Sequence, residues 1–290
     1  MLNRLKPLLL LILSPLLFSM APPPPCENVD YSCCGGEHIP YCPDPCDCPG
    51  VYGYPVCLWG GHRFSFGPQV YYLQRKREGG TFQRGWLYGG QICYEYLKRN
   101  TFYWGAEVNV ATGRISGHSS SKHILKSVFT DANAEVRIGY TFQRETGYRF
   151  LLTPYIGGGA ALETNNFVHP SPLHIHFRLY YGYVCAGFLS QMSFNNCFDA
   201  GLNFKTKYMV EAKNRVSHDP SFESSTALVG NEFLYKVELP LTYRPRPNGM
   251  VSFVPFYEFR HYGAHAGFPF DFHDTKLNIY GLLLKFIYLF

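Results

Sequence analysis

Long apolar runs and long basic runs are both missing from most of this 290-residue chain. Beyond residues 8–18, no stretch approaches the ~20 apolar residues that a helix needs to span a bilayer. Charged residues make up only 16% of the chain, and the net charge of +5 includes no Lys/Arg block long enough to follow a nucleic-acid backbone. The sequence therefore excludes a membrane protein built from helices and predicts no nucleic-acid partner.

Signals for a metal or cofactor are missing as well. None of the ten cysteines has a partner at the Cys-x-x-Cys spacing typical of zinc sites. The set that could be considered for zinc is Cys33, Cys34, Cys46 and Cys48. Without paired spacing, zinc is the weaker interpretation of these cysteines, and we expect no metal and no cofactor.

Aromatic residues and glycines are abundant instead, at 17% of the chain and 28 residues respectively. In the final stretch, residues 278–290, every second position from Tyr280 to Phe290 is large and apolar, while Gly281 and Lys285 lie on the other parity. Alternation with a period of two predicts a strand with one apolar face.

Ten segments with this alternation can be marked from Gly61 onward. They are residues 62–74, 85–97, 102–112, 129–143, 148–162, 174–189, 194–210, 232–243, 251–260 and 276–290. Charged residues keep to one parity within each segment, which is typical of strands that have two different environments on their two faces.

The connections between the segments alternate in length. The long ones are 75–84, 113–128, 163–173, 211–231 and 261–275, and the short ones are 98–101, 144–147, 190–193 and 244–250. Long loops at one end, with short turns and both termini at the other, are typical of membrane barrels, and lipid requires the sheet to close. We therefore predict an all-β fold, an antiparallel transmembrane β-barrel of about ten strands. Eight or twelve remain open.

The membrane fixes which face points inward. An Arg or Lys facing lipid near the midplane costs roughly 2–4 kcal/mol, so we expect charges inside and aromatic residues outside. The predicted lumen charges are Arg63, Glu95, Glu107, Glu135, Arg137, Arg178, Asp199, Lys205, Lys236, Glu238, Glu258, Arg260 and Lys285.

The sixth and seventh segments make a prediction about two cysteines. A hairpin about Gln191 and Met192 would place Cys185 opposite Phe198, facing lipid, with Cys197 facing the lumen. Side chains on opposite faces of a sheet cannot form a disulfide, so we expect no bond between Cys185 and Cys197.

The amino-terminal part has a different composition. Residues 1–21 have the positive start and apolar run of an export signal, residues 22–58 form a cysteine- and proline-rich extension, and the barrel covers residues 59–290. The disulfide candidates are Cys26, Cys33, Cys34, Cys42, Cys46, Cys48 and Cys57. An odd number of cysteines behind an export signal favours an intermolecular bond over a self-contained knot, which stays open.

Three motifs carry resemblances. The closing strand resembles that of bacterial outer-membrane barrels, which implies that Phe286, Tyr288 and Phe290 form a signal for the barrel assembly machinery. The segments 154–159 and 255–258 resemble strands of small outer-membrane barrels of Gram-negative bacteria. Residues 44–48, Asp-Pro-Cys-Asp-Cys, resemble the start of chlamydial major outer-membrane porins, which implies a chlamydia-like envelope with disulfide-linked, cysteine-rich proteins.

These observations favour a structural and surface protein of the outer membrane, with its amino-terminal extension in the periplasm. Mixed charges should pair across a narrow lumen and fill it. The expected partners are outer-membrane lipid, other cysteine-rich envelope proteins joined by disulfides, and host surface or antibody at the long loops. A small porin or channel for solutes is the alternative.

An enzyme, either a barrel protease or a lipid-modifying barrel, is the weaker third interpretation. Asp271 and His273 resemble the Asp-x-His pair of omptin proteases, but no long loop contains the second, Asp-x-Asp pair that those enzymes need. His118 and the serines 119–121 lack the His-x-Ser-Asn order of the barrel phospholipase. We therefore expect no catalytic activity.

Overall fold

The computed structural model describes residues 61–144, 149–172, 175–194, 198–218, 224–246, 249–267 and 271–290. Fourteen β-strands occur in these ranges. None of the described residues belongs to a helix long and apolar enough to cross a membrane. The export signal and the cysteine-rich extension, with all seven disulfide candidates, lie outside the described residues.

The strands follow one another along the chain with short connections. They are β1 (His62–Arg77), β2 (Thr81–Tyr96), β3 (Phe102–His118), β4 (Ile124–Tyr140), β5 (Phe142–Arg144), β6 (Arg149–Phe167), β7 (His176–Ser193), β8 (Phe198–Ala200), β9 (Asn203–Ser217), β10 (Ser224–Leu228), β11 (Phe233–Glu238), β12 (Leu241–Arg246), β13 (Gly249–Tyr262) and β14 (Thr275–Leu289).

The sheet closes on itself as an antiparallel barrel. β1 pairs with β2 on one side and with β14 on the other, and β14 pairs with β13. Three spanning segments are interrupted: β4 continues as β5, β8 as β9, and β10 as β11 and β12, so the fourteen strands form ten spanning segments. The all-β, ten-strand barrel predicted from the alternation is confirmed.

Two faces with opposite chemistry account for the alternation. On β4, Glu135 and Arg137 are buried inside, whereas Val136 and Ile138 point outward and are 63% and 49% exposed. The closing strand β14 follows the same rule, with Leu283 buried and Tyr288 exposed. An exposed apolar face on every side of a closed sheet is the surface that a lipid bilayer covers.

Aromatic side chains form two outward-facing rows. Near the end where the chain enters β1, the terminus end, Phe64 pairs with Tyr94 and Tyr288. Nearer the opposite end, the loop end, the row contains Trp86, Tyr72, Tyr280 and Tyr257, which are partners in register on β2, β1, β14 and β13. Tyr280 and Tyr288 lie about 26 Å apart along the strand, which at the tilt of about 40° typical of membrane barrels is roughly 20 Å of height, slightly less than their ~25 Å apolar band.

The long loops predicted at 75–84 and 113–128 are wrong. β1 and β2 continue to a turn at residues 78–80, where Gly79 and Gly80 have positive φ, and β3 and β4 continue to a turn at residues 119–123. Above the aromatic row the outer face becomes largely polar, with Gln74, Arg84 and Ser116, so apolar residues no longer mark that face although the backbone pairing continues. The sheet therefore rises beyond the apolar band.

The glycine-rich motif in β6 makes room for large inward side chains. A Cβ on Gly159 would lie 2.5 Å from the Tyr183 hydroxyl, and one on Gly157 would lie 3.0 Å from the Cys185 sulfur. These glycines therefore relieve crowding between the wall and bulky inward side chains.

The lipid-facing surface predicts how a new charge affects stability. Ala134 is exposed on the outer face of β4 about midway between the aromatic rows, so Ala134→Arg should lower the free energy of unfolding by roughly 2–4 kcal/mol. Ser116→Arg is the control, since Ser116 lies above the band in register with Arg84 and Lys126. It should cost about 0–1 kcal/mol. Guanidinium unfolding in lipid vesicles measures both, and equal effects would place the band elsewhere.

Candidate functional site: the charged lumen

A cluster of charged side chains fills the middle of the lumen. Glu135 Oε1 on β4 lies 2.8 Å from Arg137 Nε and 2.7 Å from Lys205 Nζ. Arg137 also pairs with Glu107 on β3 and lies 3.8 Å from Glu95 on β2. Lys205 reaches this cluster from β9, which is separated from β4 by β6 and β7. The cluster therefore joins opposing parts of the wall.

Inward tyrosines complete the middle cluster. The Tyr183 hydroxyl donates a hydrogen bond to Glu135 Oε2 at 3.0 Å, and Lys207 Nζ lies 4.5 Å from the centre of the same tyrosine ring. Tyr103 donates to Glu95 Oε1 at 2.8 Å. A tyrosine can thus face the lumen because its hydroxyl satisfies a carboxylate while its ring fills space.

A second cluster, nearer the loop end, ties opposite walls together. Arg260 on β13 lies 2.8 Å from Asp131 Oδ2 on β4, 2.6 Å from Glu163 Oε1 on β6 and 2.9 Å from Glu258 Oε1. β13 and β4 lie half-way round the ring from each other, through β14, β1, β2 and β3. Tyr71 on β1 also donates to Asp131 at 3.0 Å. These contacts cross the full width of the lumen.

A third cluster lies near the terminus end, around Asp199. Its carboxylate accepts hydrogen bonds from Ser193 Oγ at 2.6 Å and Gln191 Nε2 at 2.9 Å, and pairs with Arg244 at 3.1 Å. Asp199 is 1% exposed. A buried carboxylate needs such partners, and here they come from neighbouring strands, so this cluster neutralises Asp199 within one part of the wall.

Cavities of different size lie among these clusters in the part of the chain that the structure describes. A cavity of about 90 Å³ lies toward the terminus end, lined by Arg63, Glu95 and Lys285 among others. Two further cavities, one beside Arg260 and one beside Phe272, are each about 20 Å³, which is room for about one water molecule. Charges of both signs alternate through this space, so the arrangement can pair charges and exclude solutes.

Twelve of the thirteen predicted lumen charges lie on the inner face. They are Arg63, Glu95, Glu107, Glu135, Arg137, Asp199, Lys205, Lys236, Glu238, Glu258, Arg260 and Lys285. The structure brings seven of them together in the middle cluster or around Arg260, while Lys236 pairs with Glu238 at 2.7 Å.

The thirteenth, Arg178, lies on the outer face, so its predicted lumen position is wrong. In β7 the inward residues are Leu179, Tyr181 and Tyr183, and Arg178 is exposed. The pattern of charged residues assigned the wrong face of β7 to the lumen, because His176 and Arg178 lie above the apolar band, where a cation that points outward is tolerated. The lipid-facing position predicted for Cys185 is wrong for the same reason.

Cys185 is buried inside the barrel, opposite Gly157 and Lys207 rather than Phe198. Its thiol is free, as is that of Cys93, which also faces inward. Cys197 lies outside the described residues. The absence of a Cys185–Cys197 bond therefore stays a prediction.

Among the buried charged residues that the structure describes, Asp131, Glu163, Lys207 and Arg244 escaped the sequence analysis. Parity could have found two of them, because Asp131 shares the parity of Glu135 and Lys207 that of Lys205. Glu163 lies just past the predicted end of its segment. Its role depends on the extension of β6 to Phe167.

The proposed assembly-signal residues lie on the outer face of the closing strand. Phe286, Tyr288 and Phe290 are exposed, and Phe286 packs against Phe66 with ring centres 5.7 Å apart. Phe290 stacks on His62 at 5.9 Å. The last residue is thus held beside the first strand.

Asp271 and His273 make contacts within their own loop. Asp271 Oδ1 accepts a hydrogen bond from the Gly267 amide at 3.0 Å, and the His273 carbonyl accepts one from Thr275 Oγ1 at 3.0 Å. Both contacts stabilise the loop, and neither places a second carboxylate against the pair.

No protein-family model matches this chain, and no curated protein matches it. Among solved structures, the outer membrane protease OmpT from Escherichia coli is similar at 13% identity, covering 81% of this chain and 98% of that one, with a TM-score of 0.52. The translocator domain of autotransporter NalP from Neisseria meningitidis is similar at 10% identity, covering 79% and 88%, with a TM-score of 0.44. Neisserial surface protein A is 9% identical, covering 78% and 97%, with a TM-score of 0.33.

The fold is therefore that of an outer-membrane β-barrel. At these identities the likeness concerns the fold alone.

Proposed function

We propose that this chain is a structural and surface protein of the outer membrane, with a lumen closed by its own side chains and no catalytic activity. The observation that carries the proposal is the contact of Arg260 with Asp131 and Glu163 across the barrel. The apolar outer face and the fold support an outer-membrane location.

The orientation follows from the barrel plan. The short turns and Gly61, where the chain enters β1, lie at the terminus end, which in outer-membrane barrels faces the periplasm. The loop end then faces outward, where its turns are available to a host surface or an antibody. We propose that the extension before Gly61 lies in the periplasm.

A solute channel and an enzyme are the competing functions. Cross-lumen ion pairs oppose a channel, because a passing solute would have to break buried pairs. OmpT is a protease, but the long loops of this chain contain no Asp-x-Asp sequence to accompany Asp271 and His273. The sequence therefore does not favour a protease.

The closed lumen predicts no stable conductance. The refolded full chain in a planar bilayer should show no sustained open steps, because buried ion pairs cross the path in the middle cluster and again around Arg260. As a control, boiled and unboiled samples of the same preparation are compared by electrophoresis, because a change in mobility on boiling shows that the protein used in the bilayer was folded. Reproducible nanosiemens steps from folded protein would contradict the structural function and favour the porin.

We further propose that the extension, residues 22–58, links the barrel by disulfides to other cysteine-rich envelope proteins. The periplasm oxidises thiols, and seven cysteines cannot all pair among themselves. Prolines keep such a segment extended and its thiols accessible to neighbours. The chlamydial resemblance of residues 44–48 points the same way.

Cross-linking predicts high-mass species in native envelopes run without reductant, which collapse to monomer on reduction. Deleting residues 22–57 should abolish these species, whereas Cys93→Ala, which removes a buried free thiol, should leave them unchanged. A single monomeric band without reductant would mean that the extension is a self-contained knot.

A further inference from the structure

Two arginines face each other on the outside of the barrel. Arg178 on β7 and Arg215 on β9 are direct partners in register, and both side chains are exposed on the outer face. Residues directly opposite on antiparallel strands have Cβ atoms about 5 Å apart. Neither guanidinium has an acidic partner among the described residues, whereas the neighbouring Lys213 pairs with Glu211.

Like charges directly opposite each other destabilise a sheet, so this pair opposes folding unless an anion lies between its members. A second pair of like charges on the outer face, also toward the loop end, differs in having an acidic partner. Lys76 and Lys276 are also direct partners, but Asp274 lies 3.5 Å from Lys276 Nζ. Among the described residues, the protein supplies a counter-charge at one pair and none at the arginine pair.

The level of the arginine pair on the barrel indicates where the anion comes from. Arg178 lies one outward position beyond Tyr180, about 7 Å along the strand. Tyr180 is an exposed aromatic residue on the outer face, as is Tyr208 on β9. Beyond the arginines, the rings of His176 and His218 lie 4.5 Å apart. The pair therefore lies where apolar surface gives way to polar surface, at the height of lipid headgroups.

We propose that Arg178 and Arg215 form a binding site for the phosphate of a membrane lipid headgroup in the leaflet at the loop end. This inference rests on the proposed membrane location of the barrel. Guanidinium groups bind phosphate oxygens in bidentate geometry, and two of them on adjacent strands can hold one phosphate. The acyl chains of the same lipid would lie along the apolar surface that begins at Val184 and Tyr208, below the ion pair of Lys213 and Glu211.

The test uses the full chain in phosphatidylcholine nanodiscs that also contain phosphatidic acid, whose headgroup is a bare phosphomonoester. Native mass spectrometry measures how strongly the barrel retains phosphatidic acid over phosphatidylcholine. The variant is Arg178→Gln with Arg215→Gln. The matched control is Lys76→Gln with Lys276→Gln, which removes the same amount of charge from the outer face toward the same end of the barrel. A parallel arm adds inorganic phosphate to the barrel in neutral detergent.

The wild type and the lysine control should retain phosphatidic acid, and the arginine variant should lose roughly tenfold or more of that preference. Equal retention by the arginine variant, or an equal loss in the lysine control, would overturn the site. Inorganic phosphate bound as tightly as the lipid would overturn the assignment to a lipid. A wild type that folds but does not enter nanodiscs would instead refute the membrane location, and the site with it.

Discussion

The need to pair charges inside a narrow barrel is the constraint on which this structure depends. Arg260, Asp131 and Glu163 are each at most 5% exposed, so their charges must be neutralised by neighbours rather than by water. The partners lie on opposite walls, because a ring of ten segments is narrow enough for side chains to meet across it. The ion pairs that neutralise these charges are therefore the same contacts that cross the lumen.

That constraint also explains the choice of uncharged inward residues. Tyrosines such as Tyr103 and Tyr183 enter the lumen because their hydroxyls donate to carboxylates, and glycines such as Gly159 lie opposite them to leave space. On the outer face lipid imposes the reverse rule, so apolar side chains such as Val136 and Ile138 point outward between the inward charges. Because side chains alternate between the two faces of each strand, one sheet can present polar residues to the lumen and apolar residues to the lipid.

The sequence predicted the faces well where the two environments differ most. In β14 and β4 the alternation of aromatic and charged residues assigned Tyr288 and Arg137 correctly. It failed for Arg178 and Cys185, because beyond the apolar band charge no longer marks the inside. The contact between Asp131 and Arg260 joins residues 129 apart in sequence, and parity alone cannot supply it. Such a pair depends on the stagger of strands around the ring, which no local pattern encodes.

A double-mutant cycle between Arg260→Met and Asp131→Asn tests the cross-barrel tie most directly. Removing Arg260 alone leaves buried carboxylates unpaired and should cost about 3–5 kcal/mol of unfolding free energy. The two changes should be coupled by about 1–3 kcal/mol, whereas the same cycle on the exposed pair Lys276 and Asp274 should give less than about 1 kcal/mol. Additive effects at Arg260 and Asp131, within about 0.5 kcal/mol, would contradict a lumen held closed by charge pairing.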